Sequence, residues 1–298
     1  MSERTIAGRY ALLHPIGDGG MATVWVAVDQ QLQRRVALKL VQPGRGSKRR
    51  NPARFEQEAR IVAQLQDPAV VQVHDYGLND GEPFVVMELL SGEDLETRLG
   101  RVERLPLAAV TSLVSQVARG LEVAHAAGIV HRDLKPGNIF LARTTQGEQA
   151  KILDFGLAAI RPAEGGVGEL LPIAGTPQYM SPEQILDPSR VDHRADLYAL
   201  GVVAYEALTG VLPFEIESLT ALVSRATKAP EPFRPPSQLV PELGPNVDAF
   251  FERALAGNPA QRFQSAREMA IALAALEESG MTRRAIRILV ADDEPDLS

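Results

Sequence analysis

The 298-residue chain contains no cysteine. That absence excludes a disulfide framework, a thiolate zinc site and a cysteine nucleophile, and points to a reducing cytosol. The chain also lacks the ~20-residue apolar run that a membrane span requires. Its most apolar long stretch, Leu197 to Leu212, is broken by Glu206, and the N-terminus MSERTIAGRY has no apolar core of the signal-peptide kind. A soluble, cytoplasmic chain with no membrane span is therefore expected. A large charge excess is missing as well: 31 Lys and Arg stand against 38 Asp and Glu, a net charge of −7. So mild an acidity gives no reason to expect a nucleic-acid partner. Internal repeats and low-complexity tracts are absent, and His14, His74, His125 and His193 show no ligand-like spacing, so no metal-binding histidine is assigned.

What is present is an apolar share of 45% and a charged share of 23%, the balance of a globular chain able to bury a large core. The length admits one large two-lobed domain or two ordinary ones. Short runs rich in Val, Leu and Ile, bounded by Gly, Asp and Pro, predict strands over Tyr10 to Pro15, Thr23 to Val28, Arg35 to Val41, Val70 to Tyr76 and Phe84 to Leu89. Between the third and fourth, Phe55, Ala59, Val62 and Leu65 recur at helical spacing over Asn51 to Gln66, with Asn51 as cap and Pro52 at the first helical position. After Gly92 helices are predicted over Leu107 to His125, Asp196 to Thr209, Asn246 to Ala256 and Ser265 to Glu278. Pro and Gly mark Arg161 to Pro177 and Ala229 to Pro245 as long loops.

The chemistry starts at Ile16-Gly17-Asp18-Gly19-Gly20-Met21-Ala22-Thr23-Val24, a glycine-rich turn between two strands. Glycines let backbone N–H groups close on phosphate oxygens, although such a hairpin is as often only a tight turn. The strand that follows ends in Val36-Ala37-Leu38-Lys39, and the next helix carries Glu58 between Phe55 and Val62 on its apolar side. A partly buried carboxylate needs a cation, and Lys39 is the candidate. Next come His131-Arg132-Asp133-Leu134-Lys135-Pro136-Gly137-Asn138 and then Asp154-Phe155-Gly156. An Asp, a Lys two residues on and an Asn five on suit a loop that accepts a hydroxyl proton, neutralises a phosphoryl group and holds a metal. Asn138 and Asp154 offer the oxygen ligands that Mg²⁺ takes.

In this order the motifs resemble the protein-kinase family, specifically the eukaryotic-like (Hanks-type) Ser/Thr kinases of bacteria, from about Gly8 to Glu278. Further matches are Gly175-Thr176-Pro177-Gln178-Tyr179-Met180-Ser181-Pro182-Glu183, Asp196-Leu197-Tyr198-Ala199-Leu200-Gly201, and Arg262 after Asn258-Pro259. The resemblance implies an α+β, bilobal kinase fold, with a small antiparallel sheet and one key helix over residues 8–90 and a mainly helical lobe over 91–279. It implies ATP and Mg²⁺ as cofactors, with Mn²⁺ as an alternative, and in-line transfer of the γ-phosphoryl group to protein Ser/Thr hydroxyls, including the chain's own. Gly17, Gly19 and Gly20 would cover the phosphates, and Lys39, held by Glu58, would bind the α- and β-phosphates. Asp154 and Asn138 would hold the metal, Asp133 would serve as base, Lys135 would stabilise the γ-phosphoryl group, and Thr176 would position substrate. Met87 would be the gatekeeper, backbone groups of Glu88 and Leu90 would read adenine, and Ile16, Val24, Ala37 and Phe140 would sandwich the base. His131 belongs to the catalytic-loop scaffold, and Glu183 with Arg262 would form a buried ion pair. The rival expectations are a nucleotide-binding pseudokinase scaffold and a small-molecule phosphotransferase of the same fold. The intact Lys39, Glu58, Asp133, Asn138 and Asp154 weigh against the first, the polypeptide-docking stretch Gly175 to Glu183 against the second.

Three features depart from the family pattern. Ala22 stands where a third glycine is usual, which predicts a modest effect on nucleotide affinity. Leu157 to Gly175 contains no Ser, Thr or Tyr, although Arg132, the usual partner of a phosphate there, is present. Activation without phosphorylation inside that loop is the expectation, through Glu164 or Glu169 near Arg132 or from outside the domain; ordering by substrate or dimer contacts is the alternative. Residues 283–298 carry an apolar strand, Ile286 to Val290, running into Asp292-Asp293-Glu294-Pro295-Asp296. This resembles the opening of a response-regulator receiver domain in a longer natural chain, the alternative being an acidic tail. The basic cluster Arg45, Lys48, Arg49, Arg50 and Arg54 lacks interleaved aromatics and reads as a solvated face.

Overall fold

The computed structural model describes residues 4–19, 22–41, 59–155, 177–214 and 233–278. The first lobe is a six-stranded antiparallel sheet of β1 (Thr5–Ile6), β2 (Tyr10–Gly19), β3 (Ala22–Asp29), β4 (Arg34–Val41), β5 (Val73–Asn79) and β6 (Glu82–Met87). Spatial order is β1-β2-β3-β4-β6-β5. Strand alternation sorts β4 and β6 onto two faces. Val36, Leu38, Phe84 and Val86 join Ile6, Tyr10, Leu12 and Ala27 in one apolar cluster. Ala37, Val85 and Met87 enter a second cluster, continuous with the core of the other lobe. Lys39 falls in that second set by period, so the pleat aims it at the other lobe rather than at solvent.

The sheet curls until its ends meet. Tyr10 donates its hydroxyl to Asp75 at 2.5 Å, Arg9 approaches the same carboxylate at 3.4 Å, and the Ala7 N–H donates to the Asn79 side chain at 2.8 Å. Arg9 also forms a two-pronged pair with Asp29, which is 1% exposed.

The second lobe opens with β7 (Gly92–Asp94), paired to the hairpin β8 (Ile139–Thr144) and β9 (Gly147–Ile152) in a separate three-stranded sheet. Helix α1 (Leu95–Arg101) starts at Asp94, whose carboxylate accepts the Thr97 N–H at 2.7 Å. Helix α2 (Leu107–Ala126) buries Val110, Leu113, Val114, Val117 and Leu121, one amphipathic face. α3 (Pro182–Leu186) is short and carries a capping box from Ser181 and Gln184. α4 (Arg194–Thr209) is buried on nearly all sides, as its almost wholly apolar sequence requires. α5 (Pro236–Leu239) and α6 (Asn246–Ala254) pack against it, and a helix over residues 266–278 adds Ala266, Met269 and Leu273 to the same core. No helix among the described residues is long and apolar enough to cross a membrane.

Several predicted boundaries change for physical reasons. The strand expected over Val70 to Tyr76 begins only at Val73, because the backbone before it is diverted to the other lobe: Val71 N–H donates to Ile152 at 3.0 Å and Ile152 N–H to Ala69 at 2.7 Å. The loop expected over Ala229 to Pro245 contains α5 and a 3₁₀ turn, Pro241–Leu243, each with proline at a first helical position that suits its fixed φ. The helix expected from Asn51 is described only over its last turns, helical at residues 59–63. Glu58, Gly20, Thr176, the basic cluster, most of Arg161 to Pro177 and residues 283–298 lie outside the described residues.

Candidate active site

Register places the site. Val24, Lys39 and Val85 stand opposite one another across β3, β4 and β6, and Val26, Ala37 and Met87 form the next row on the same face. Gly17 pairs with Val24. Ala37 and Met87 are buried, Val24, Leu90 and Phe140 are partly buried, and Ile16 stays half exposed.

Opposite this face, the hairpin β8–β9 brings the two acidic motifs together. Ile139 pairs with Ile152, and the Leu153 N–H donates to the Asn138 carbonyl at 2.8 Å. Asp133 and Asp154, 21 positions apart, are thereby set at the mouth of one hairpin. Asn138 is buried and donates its amide N–H to the Asp133 carbonyl at 2.7 Å. Lys135 Nζ lies 3.8 Å from Asp133 Oδ2. Lys39 Nζ reaches down to Asp154 Oδ2 at 2.6 Å, the pair being 15% and 29% exposed. Lys39 thus has Asp154 as a described partner, while its expected partner Glu58 lies outside the described residues.

The loop is fixed from below by Asp196, which is fully buried. Its carboxylate accepts the N–H groups of His131 and Arg132, both at 2.8 Å, and His125 Nε2 at 2.8 Å. Three donors on one carboxylate replace its lost hydration. They also hold Arg132 at φ +65°, a left-handed conformation that a long side chain rarely adopts unaided. His131 Nε2 lies 2.8 Å from the Leu153 carbonyl, so that nitrogen carries the proton, and Nδ1 accepts from the Asp133 N–H at 3.2 Å. The Phe155 ring, 2% exposed, meets His131 edge-on at 4.9 Å.

Sequence reasoning did not foresee the roles of Asp196 and His125. A signal existed: an aspartate opening an otherwise apolar helix must be buried with donors. Beside the loop, Glu96, Glu103, Glu206, Pro136 and Tyr179 line a cavity of about 260 Å³. Burial pushes the Glu206 carboxyl up against the opposing pull of the Tyr179 hydroxyl, which donates to it at 2.6 Å, and burial likewise raises Tyr179 itself.

Farther out, the Arg262 guanidinium is 0% exposed and forms a two-pronged pair with Glu183 at 2.7 Å on both arms. The ion pair expected from sequence is present. A protein kinase domain model matches residues 10–272. The chain belongs to the protein kinase family. This kinase domain is 42% identical over 277 residues to serine/threonine-protein kinase PknA of Mycobacterium tuberculosis, covering 91% of the chain and 62% of that protein. It is 38% identical over 282 residues to serine/threonine-protein kinase pkn3 of Myxococcus xanthus, covering 92% of the chain and 51% of that protein. The chain therefore spans roughly half to three fifths of these relatives' length. Among solved structures, the Mycobacterium tuberculosis PknI kinase domain matches with a TM-score of 0.73 at 28% identity, covering 93% of this chain and 99% of that one. The kinase fold expected from the motifs is the fold observed.

Among the described residues no group of three or more His, Asp or Glu could hold a metal by itself. The donor set still fits Mg²⁺, which takes one or two protein oxygens and completes its shell with phosphate and water. The Asp154 carboxylate would supply one oxygen. Asn138 would supply the other, because its amide nitrogen is committed to Asp133 and Oδ1 is the acceptor it can present.

Proposed function

We propose that this domain transfers the γ-phosphoryl group of ATP to Ser and Thr hydroxyls of proteins, its own among them. The observation that carries the reading is the meeting of Lys39, Asp154, Asn138, Asp133 and Lys135 at one hairpin mouth. Bound Mg²⁺, or Mn²⁺ in its place, would be held by Asp154 and Asn138 and would neutralise phosphate charge. Lys39 orients the α- and β-phosphates under the glycine turn of Gly17, Gly19 and Gly20, with Glu58 as the partner that steadies it. Ile16, Val24, Ala37, Met87 and Phe140 enclose the base, and Glu88 and Leu90 offer backbone groups to its edge. The Glu88 N–H is already spent on the Gln72 carbonyl at 3.0 Å, which leaves its carbonyl for the amine of adenine.

In the transfer, the substrate oxygen bonds to the γ-phosphorus as the bond to the bridging oxygen breaks, and ADP departs. Asp133 takes the hydroxyl proton, and Lys135 balances the equatorial charge. Thr176 helps place the hydroxyl. Residues 283–298 are proposed as the start of a receiver-like domain, supported by the Asp292-Asp293 pair after Ile286 to Val290. Incubation with γ-labelled ATP and a mixed protein substrate, followed by phosphoamino-acid analysis, tests the main reading. Label on Ser or Thr is expected; nucleotide binding without transfer would favour the pseudokinase scaffold.

A further inference from the structure

The hinge is gripped by a side chain that the transfer chemistry does not use. While the Glu88 N–H donates to Gln72, the Glu88 carboxylate turns back on itself: Oε1 accepts the Gln72 N–H at 2.9 Å and the Lys151 ammonium at 2.6 Å. The ion pair is largely shielded, with Lys151 14% and Glu88 27% exposed. Three segments remote in sequence meet at one oxygen: the stretch before β5, the hinge, and β9. On β9, Lys151 stands directly opposite Phe140 of β8. Paired residues project from the same face of a sheet. One end of the clamp is therefore the residue whose carbonyl faces the base edge, and the other is the strand partner of the residue that floors the base.

We infer that Lys151 is a positioning residue that fixes the Glu88 carbonyl relative to Phe140, and thereby sets affinity for the adenine base and preference for ATP over GTP. The inference rests on the nucleotide-binding reading above. Adenine presents an amine, a donor, where guanine presents a carbonyl oxygen. An acceptor held still rewards the first and repels the second, whereas one free to swing relieves the repulsion and loses selectivity. Without Lys151 the Glu88 carboxylate keeps, among the described residues, the Gln72 bond, and the hinge loses its direct side-chain link to β9.

The test is steady-state kinetics of the full chain with ATP and with GTP. Lys151→Met is expected to raise KM for ATP about tenfold, the scale of one charge-assisted hydrogen bond, with kcat held within about twofold. The ratio of kcat/KM for ATP over GTP falls with it, and Lys151→Arg, which reaches the same oxygen, restores both. A merely structural lysine would lower the melting temperature and the active fraction without moving that ratio. Should Lys151→Met not fold, Glu88→Gln carries the test, since it keeps an acceptor for Gln72 but drops the charge that attracts Lys151; a raised KM supports the inference and a wild-type KM overturns it. A wild-type KM and ratio in folded Lys151→Met overturn the inference and leave the proposed function standing. No ATP turnover by the unsubstituted chain overturns both.

Discussion

Replacing Arg262 by methionine should be the most damaging single change remote from the hairpin mouth. Its guanidinium has five N–H groups, and all are engaged: Nε with the Ala256 carbonyl at 2.7 Å, Nη1 with Glu183 at 2.7 Å and the Arg194 carbonyl at 3.1 Å, Nη2 with Glu183 at 2.7 Å and the Gly257 carbonyl at 3.0 Å. Its plane also lies over the Tyr198 ring, 4.8 Å from the centroid. Arg262→Met leaves a carboxylate that is 15% exposed without its cation, and takes one donor away from each of three carbonyls. Breaking one partner of a buried pair costs about 3–5 kcal/mol, against a total stability on the order of 5–15 kcal/mol. At roughly 2–4 °C per kcal/mol, the melting temperature falls by about 6–20 °C. Arg262→Lys keeps the charge but loses the planar fork, so it recovers only part. Removing both charges, in Glu183→Leu with Arg262→Met, should be milder than Arg262→Met alone, because no buried charge is stranded. Thermal and urea unfolding measure all four proteins. An Arg262→Met loss under about 1 kcal/mol would show instead that the pair's desolvation cancels its bonds.

Acid sensitivity has a local source in Asp29. The Arg9 side chain, joined by the N–H groups of Leu32 and Gln31, holds its pKa down from 3.8 to about 2. A depressed folded value stabilises the protein above the unfolded pKa, and that contribution fades as pH falls from about 4 to about 2. Arg9→Met should therefore lower stability at neutral pH and narrow its gap to the wild type across that window, read by urea unfolding at stepped pH. Gly92→Ala should cost more than about 3 kcal/mol, because the new Cβ would lie 2.0 Å from the Leu141 carbonyl oxygen at φ +147°. Gly100→Ala, with open space around it, serves as the control in the same thermal melt. Phosphopeptide mapping of active protein should find no activating phosphate between Leu157 and Gly175; stoichiometric phosphate on Thr176 coupled to activation would refute phosphorylation-independent activation.

The parts of the fold legible in sequence are those where a local apolar run or period dominates. The apolar run of Arg35 to Val41 and the helical stripe from Leu107 each predicted an element within a residue or two of its observed bounds. The start at Val70 was misread because the apolar run looks like a strand, whereas the Val71 N–H and the Ala69 carbonyl on either side of Val70 are spent on Ile152 in the other lobe. Strand β7 escaped notice because its three residues, Gly92-Glu93-Asp94, carry no apolar alternation, and β8 and β9 because polar residues cut short their apolar runs. At the site, residue types and spacing identified Lys39, Asp133, Lys135, Asn138 and Asp154, all of which meet in space. The supports were less visible. Asp196 acts through backbone N–H groups 64 and 65 positions away, and Lys151 through a hinge carboxylate 63 positions away. No periodicity reports such pairings, since they exist only once the hairpin has closed against the sheet.

The proposed phosphoryl transfer turns on Asp133 accepting the substrate proton. The direct measurement is turnover of γ-labelled ATP by the wild type and by Asp133→Asn at saturating ATP and Mg²⁺, with nucleotide affinity measured in parallel. Asp133→Asn is expected to bind ATP as the wild type does while transfer falls by about 10²–10⁴-fold, the usual contribution of a positioned base. Equal transfer by the two proteins, or none by either, would contradict it.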